Sequence, residues 1–458
     1  MEIQTGALII VLAYMVGMMI VGYVVGKINI KGSADYLVAG RRMGLFMVAF
    51  SLSANNIGGG STTGLAQKAF GAWGISAIWY VLAASLAMIP LAYFAPKIRK
   101  TMAVTIPEVV GRRFGKLSSN FTAVLSVLSL FCLTSSQIGA SGAVINALIP
   151  SIPLNVCLLL AGFVTIFYTT FGGMIADQVS DLIQFGIILV GLAIATPIVL
   201  KYAGGWQAIS AALPGEKLNM AQIGWASIIG YFFNYFCTFL CAILMAAMSI
   251  FPTLLGLAAF ALKDQLPGLA ENGSNAMMVV TGAYAPGVIT GLISAAIICA
   301  TMSSADSNLL CMSTMIINDI YPGFGGKKKL DDKQTIFYTR LCNVIAALIA
   351  MGISMFGVSL VAMNTFAFGI RCAGPFAAYG LGLAVPKATK NSGMISIFTG
   401  TIAFVVWQLL SNGGTLWFMM PVVFGSLVSV ITFYVVNLIE WKRGVPAAPS
   451  AYAVEEAK

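Results

Sequence analysis

Four polar residues crowd one helical turn of an otherwise apolar stretch: Ser303, Ser304, Asp306 and Ser307, within ICATMSSADSNLLCMST at 298–314. On a helix, Ser303 and Ser307 share a face at the i, i+4 spacing. Hydroxyl oxygens beside a carboxylate can replace the water shell of a small cation. The plainer use of such a cluster is hydrogen-bonding glue between membrane helices. A second segment, FSLSANNIGGGSTTGLAQ at 50–67, carries two asparagines, three consecutive glycines and several hydroxyls. Glycine costs about 1 kcal/mol in a helix interior, so three in a row favour local unwinding. Unwound backbone is tolerated in a bilayer only where protein or a cavity surrounds it. Its freed carbonyls are hard oxygen ligands suited to sodium. The plainer reading is close helix packing on small residues. Of the fifteen acids, Asp181 and Asp306 are read as the two inside the apolar slab, and intramembrane acids mark ion pathways by default. Arg371, in AFGIRCAGP, is the lone intramembrane base. It either grips a substrate carboxylate as a planar fork or makes a structural contact and snorkels to one side.

The elements that must position these residues are membrane helices. Hydrophobic residues make up 59% of the 458 and charged ones only 9%, where a soluble domain carries roughly 25% charged. Apolar runs recur from end to end, and each bilayer crossing needs about 20 residues. The spans read 5–26, 43–67, 72–95, 118–146, 153–171, 178–200, 222–240, 241–262, 287–317, 335–357, 359–385, 392–411 and 416–440. The expected fold is therefore all-α, a polytopic membrane protein of about thirteen transmembrane helices. The first span is too long for a signal-peptide core and lacks a basic flank before it, so it reads as a retained helix. Residues 1–443 form one transmembrane domain and 444–458 a short cytoplasmic tail.

With the N-terminus outside, twenty of the 25 Lys and Arg fall in cytoplasmic segments and four outside, with Arg371 between. This positive-inside bias accounts for the net charge of +10 with no nucleic-acid partner. It places the C-terminus in the cytoplasm and the protein in the plasma membrane. The eight cysteines lie in apolar runs, form no CxxC pair and have no histidine to complete a zinc site. They read as small packing residues. Without histidine, a proton relay would rest on Asp181 and Asp306 alone, and the hydroxyl-and-carbonyl cage fits sodium better.

These residues resemble the sodium:solute symporter family. The resemblance runs over nearly the whole chain, through SADYLVAGRRMG after span 1, SANNIGGG, TIPEVVGRRFG at 105–115, TTFGGMIADQVSDLIQ at 169–184, MSSADSNLL at 302–310 and NDIYPG at 318–323. It implies the leucine-transporter type of fold, in which five helices repeat with inverted topology and sites lie at broken helices near mid-membrane. Spans 2–6 would repeat as spans 7–11, with spans 1, 12 and 13 peripheral. It implies a main sodium site on Ala54, Ile57, Ala300, Ser303 and Ser304. It implies a second sodium set on Asp181, Ser303, Asp306 and Ser307, although some members carry a hydroxyl residue where this chain has Asp306. The substrate pocket, by the same resemblance, draws on Asn55, Asn56 and Ser61 of span 2, and on Ser135, Ser136 and Gln137 of span 4. Phe233 and Asn234 of span 7 join it, with Asn364, Phe368 and Arg371 of span 11.

One departure stands out. Members usually carry a polar stretch between spans 7 and 8, whereas this chain runs from Ile223 to Leu262 with no charged residue. The function expected is sodium-coupled import of a small polar organic solute by alternating access, with sodium, the solute and lipid as partners and no enzymatic chemistry. A proton-coupled transporter of the same fold is one alternative. A membrane sensor on a transporter scaffold is another; such proteins append an output domain, for which the residues after Arg443 are too few. A passive channel fits broken helices less well.

Overall fold

The computed structural model describes residues 5–41, 43–225, 227, 239–323, 330–357 and 359–452. Its helices, in chain order, are α1 (Thr5–Asn29), α2 (Ser33–Val38), α3 (Leu45–Asn56), α4 (Thr63–Phe70), α5 (Trp79–Thr101), α6 (Ile106–Phe114), α7 (Lys116–Leu148) and α8 (Leu154–Tyr202). They continue with α9 (Gly205–Ala212), α10 (Phe239–Ala261), α11 (Ala276–Tyr284), α12 (Gly287–Met315), α13 (Asp332–Ser354), α14 (Leu360–Ala373), α15 (Lys390–Leu410) and α16 (Pro421–Lys442). Among the described residues, seven helices are long and apolar enough to cross a membrane. Helix α12 is the most enclosed of them: every residue from Ser303 to Leu310 is buried.

Helix α8 has 49 residues. A straight helix of that length would run about 70 Å, more than twice the roughly 30 Å hydrocarbon core. It is instead two arms meeting at Gly173, whose φ of 59° and ψ of −172° are non-helical. The packing against α1 shows that the chain turns back there. Tyr168 lies against Gly22, and Phe171 and Gly172 lie against Gly26. Gln184, further along the sequence, bonds to Tyr14, back up the same helix, at 2.7 Å. Spans 5 and 6 of the sequence reading are the two arms. The reversal is possible because Gly173 carries no side chain: a Cβ there would come within 2.7 Å of the Tyr36 ring, in a backbone region open only to glycine.

The segment TIPEVVGRRFG folds as α6, lying between α5 and α7. Thr105 caps its N-terminus by accepting from Glu108 N at 3.2 Å, with Pro107 in the first turn. Arg113, 5% exposed, donates to Val385 O at 2.5 Å and Pro386 O at 3.1 Å, closing the chain end that follows α14. Lys217 acts similarly at the end of α4. Its Nζ donates to Phe70 O at 2.7 Å and to Gly71 O, and sits 3.7 Å from the Phe260 ring centroid. Burial first, and Lys263 second, hold this ammonium below the usual lysine range. The residues after α16 dock as well: Ala448 N donates to Ala388 O at 2.7 Å, and Ala451 is buried beside Val109 and Leu383.

Most of span 7, residues 226 and 228–238 with Phe233, Asn234 and Cys237, lies outside the described residues. Replacing Gly173 with Ala should lower the melting temperature of purified protein, the strained backbone alone costing about 1–3 kcal/mol. Gly186→Ala is the control, since a Cβ there meets nothing within 4 Å and should leave stability unchanged or slightly raised. Equal melting temperatures for the two variants would overturn the assignment of the hairpin to Gly173.

Candidate functional site

The site is built where α3 stops. The helix ends at Asn56, and Ile57 (φ −98°, ψ 78°) and Thr62 (φ −114°, ψ −95°) bracket a non-α-helical link to α4. Each glycine in the link is needed for close approach. A Cβ on Gly58 would strike the Gln137 amide, one on Gly59 would strike Ala140 Cβ, and one on Gly60 would strike Asn364 Nδ2. The hydroxyls that follow satisfy carbonyls the break releases. Ser61 Oγ donates to Asn56 O at 3.2 Å, Thr62 Oγ1 to Gly58 O at 3.0 Å and Thr63 Oγ1 to Gly59 O at 3.2 Å. Gln137 Oε1 accepts from Gly59 N at 2.6 Å. In a water-poor interior each of these groups left unpaired would cost several kcal/mol.

Two carbonyls at the end of α3 face α12. Ser303 Oγ lies 3.1 Å from Ala54 O and 3.0 Å from Ala300 O. Ser304 Oγ lies 2.7 Å from Asn55 O and 3.1 Å from Ala300 O. Ala54, Ala300 and Ser303 are fully buried and Ser304 is 2% exposed. The residues implied for the main cation set are thus brought together from two helices 249 positions apart in sequence. Ile57 sits at the point of unwinding, its N–H bonded to Ser53 O and Ala54 O. Asn55 O joins the group, which sequence reasoning had not included; the i, i+1 pairing of Ser303 and Ser304 against two consecutive carbonyls is the signal.

One turn along α12, the carboxylates meet. Asp177, Asp181 and Asp306 are buried, each offering one oxygen, and these oxygens all lie within 4.8 Å of one another. Ser307 Oγ donates to Asp177 Oδ1 at 2.8 Å, Ser307 N to Asp306 Oδ1 at 2.9 Å, and Ser51 Oγ to Asp181 Oδ2. Gln178 Nε2 donates to Ser51 Oγ at 2.7 Å. The reading of only two acids inside the slab is therefore corrected. Asp177 belongs there too, because the second arm of α8 begins directly after Gly173 and not at residue 178. Its i, i+4 spacing to Asp181 puts both on one face.

The substrate-pocket residues are dispersed in role. Asn56 Nδ2 and Ser135 Oγ bond back to their own helices at Leu52 O (2.7 Å) and Phe131 O (2.8 Å). Ser136 Oγ is 3.5 Å from Leu360 O. Gln137 and Ser61 hold the break, as described above. Asn55 is half-buried, and Asn364, 4% exposed, touches Gly60's position with its Oδ1 unpartnered. Phe368 lies one turn further along α14, with the Arg371 guanidinium over its ring at 4.9 Å. Arg371 is seven residues beyond Asn364, about 10 Å along the helix axis. Phe233 and Asn234 lie outside the described residues. A cavity of about 510 Å³ opens near this end of the molecule, its lining including Leu37, Arg99, Thr105, Gln178, Cys311 and Thr314. Through Gln178 it borders the Ser51–Asp181 pair.

Comparison with known proteins gives consistent results. The model of the sodium:solute symporter family matches residues 36–223 and 226–400. A sodium/proline symporter of Staphylococcus aureus (strain bovine RF122 / ET3-1) is 25% identical over 485 aligned residues, covering 95% of this chain and 93% of that one. Another Staphylococcus aureus sodium/proline symporter is 25% identical over 460, covering 90% and 88%. Among solved structures, a Na+-coupled sialic acid symporter in a substrate-bound, outward-open state matches with a TM-score of 0.80 at 21% identity, over 97% of this chain and 98% of that chain. A nucleobase-cation-symport-1 family transporter, closed with bromovinylhydantoin bound, matches at 0.60 and 15% identity, over 93% and 98%. The fold is the all-α leucine-transporter type that the family resemblance implied.

Gln137→Leu removes the acceptor of Gly59 N and should destabilise the protein by about 1–3 kcal/mol, the cost of a buried unpaired donor. Gln137→Glu keeps an oxygen in place and should recover most of that loss. Thermal unfolding of both variants decides: equal loss in the two would mean that Gln137 does not hold the break.

Proposed function

Because this chain belongs to the sodium:solute symporter family, we propose that it couples sodium entry to the import of a small polar organic solute by alternating access. Its family and relatives are transporters, not enzymes. The observation that carries the proposal is the convergence of Ala54 O, Ala300 O, Ser303 Oγ and Ser304 Oγ at the end of the broken helix. A sodium ion there takes lone pairs from all four oxygens, and from Ile57 O at the same unwound end. Such neutral oxygens suit a monovalent ion. The protein lies in the plasma membrane as a single transmembrane domain over residues 1–443, N-terminus outside. The cavity beside Arg99 then faces the cytoplasm, and residues 444–452 lie on that side.

The solute meets Asn55 and Asn364 beside the glycine link, with Phe368 as an apolar wall. Relatives named for proline and for sialic acid favour a carboxylate-bearing solute. Arg371, two turns along α14 from Asn364 and beside Phe368, binds that carboxylate.

Sodium alone should stabilise the purified protein. A ligand bound only to the folded state contributes about 2.7 kcal/mol at a hundred times its dissociation constant. The measurement is melting temperature in sodium against potassium at equal ionic strength. Ser303→Ala or Ser304→Ala should reduce the sodium effect while leaving the potassium value near wild type. Identical melting in the two salts over a wide range would sink the sodium site.

Arg371→Lys should already weaken binding of an acidic solute, since lysine offers a point charge and no planar fork. Loss of a charge-assisted hydrogen bond costs about 1.5–3 kcal/mol, or roughly tenfold to a hundredfold in affinity. A thermal-shift screen of small acids and their amides identifies the solute. Matched acid and amide forms are then compared on wild type and Arg371→Gln. If the variant loses both forms equally, Arg371 does not read a carboxylate.

A further inference from the structure

We propose that a cavity between α1, the first arm of α8 and α13 binds the phosphate headgroup of an anionic glycerophospholipid, with Lys27 and Arg340 as its cationic ligands. The cavity has a volume of about 380 Å³, and its lining includes Tyr23, Lys27, Ile30, Phe171, Ile336 and Arg340. Three helices bring the two cations to one level. On α1, Gly22 lies against Tyr168 and Gly26 against Phe171 and Gly172. On α13, Met351 lies against Gly162 of the same arm. The first arm of α8 therefore packs on both helices, and Phe171, near its end, reaches the cavity. No residue of the sodium set or the solute pocket takes part. The site rests on the proposed topology only for its assignment to the cytoplasmic leaflet.

The cations are held by rings and not by acids. Lys27 Nζ stands 5.8 Å from the Tyr23 ring centroid, and the Tyr23 and Phe171 rings meet edge to face at 6.1 Å. The Arg340 guanidinium lies 5.5 Å from the Tyr36 centroid and 5.8 Å from that of Phe171. Such contacts position a cation without neutralising it. The Tyr36 hydroxyl, a further partner of Arg340, is neutral as well. Among the described residues neither Lys27 nor Arg340 forms an ion pair with a carboxylate. Asp332, at the start of α13, accepts instead from Ser33 Oγ at 2.7 Å. Two like charges on one small cavity repel unless an anion lies between them. A phosphate diester accepts from a guanidinium fork and from an ammonium at once.

The surroundings favour a lipid over a free anion. From Lys27 back along α1, Val24, Ile20 and Val16 are exposed at i, i+4 spacing. From Arg340 onward along α13, Leu341, Ile345 and Leu348 are exposed in the same way. Both stripes run from the cavity into the apolar slab, where acyl chains of a lipid seated at the cations would lie. Basic pockets between helices at the membrane surface, with tyrosine at the same level, are the form that anionic headgroup sites take. A zwitterionic headgroup brings its own ammonium or choline toward Lys27 and Arg340, so the anionic class is preferred. A lone exposed lysine at a helix end is adequately explained by snorkelling to water. Arg340 is half-buried and shares one cavity with Lys27, which snorkelling does not require.

The test uses the full chain, purified in detergent. Phosphatidylglycerol, phosphatidylcholine of the same chain length and inorganic phosphate are titrated separately, reading melting temperature, with native mass spectrometry counting retained lipid. Phosphatidylglycerol should stabilise saturably with one lipid retained, at about a tenth or less of the phosphatidylcholine concentration. Lys27→Gln should weaken this response about fivefold and Arg340→Gln about tenfold or more. Lys442→Gln, at an exposed lysine ending α16, should leave it unchanged. Arg340→Gln also removes ring contacts and lowers lipid-free stability, so Lys27→Gln decides: its side chain is exposed, and its lipid-free melting should match wild type. Equal responses to the two lipids overturn the proposal. Inorganic phosphate acting as well as phosphatidylglycerol overturns the lipid as occupant. Equal effects of Lys27→Gln and Lys442→Gln overturn the site. The sodium-against-potassium shift is read separately and should persist in all three variants, so failure here leaves the sodium proposal standing.

Discussion

The contact on which the rest of this structure depends is the meeting of two carbonyls at the end of α3, Ala54 O and Asn55 O, with the hydroxyls of Ser303 and Ser304. A helix broken in mid-membrane releases backbone groups that lipid cannot satisfy. The chain resolves this locally on the far side of the break, where Ser61, Thr62 and Thr63 bond back onto the link. On the near side it resolves it through a partner, and the partner is α12. Helix α7 completes the frame: Gln137 receives Gly59 N, and Ser141 and Thr301 hydroxyls meet at 2.5 Å, fixing α12 against α7. The three glycines follow from this crowding as much as from flexibility, since each lies where a Cβ would collide with a neighbour.

The turn at Gly173 extends the same logic to charge. By doubling α8 back on itself, it brings Asp177 and Asp181 against α12 one turn beyond the serines. Neutral oxygens and carboxylates therefore sit in adjacent turns of one buried helix, with Ser307 bonding across to Asp177. Unit charges a few ångströms apart interact by several kcal/mol at the effective dielectric of a protein interior. A charge placed at either group of oxygens is accordingly felt by the other.

Much of this was legible in the sequence, for reasons that are physical. Long apolar runs have few alternatives in a chain so poor in charge, and glycines and hydroxyls stand out against that background. The pairing of SANN with SSADS across 249 positions needed the family resemblance, because nothing local links them. Asp177 was missed because hydropathy blurs boundaries where a hairpin lacks polar loop residues; Gly172–Gly173 is the entire turn. Several residues implied for the pocket have partners within the protein. Asn56, Ser61 and Gln137 are polar residues in a membrane helix bundle, and the bundle uses them to satisfy its own backbone. Sequence reports that such groups exist, but whether each one is spent on protein depends on distances of a few tenths of an ångström.

The two halves of the broken helix share α10 and otherwise answer to different neighbours. Helix α3 also packs on α8 and α12 and is tied to α8 by Ser51. Helix α4 packs on α10 and α11, is capped by Lys217, and holds Asn272 O through Gln67 at 3.1 Å. The link from Ile57 to Thr62 is thus the join between two sets of contacts, and it lacks the regular helix that would force them to move together. Alternating access needs relative motion of just this kind. On the proposed function, a cation held by Ala54 and Ala300 would lie on the α3 side of the join, and a solute at Asn364 would lie against Gly60 on the link itself. Cation binding would then fix where the link begins and solute binding how it runs, each lowering the conformational cost of the other, which is the coupling that symport requires.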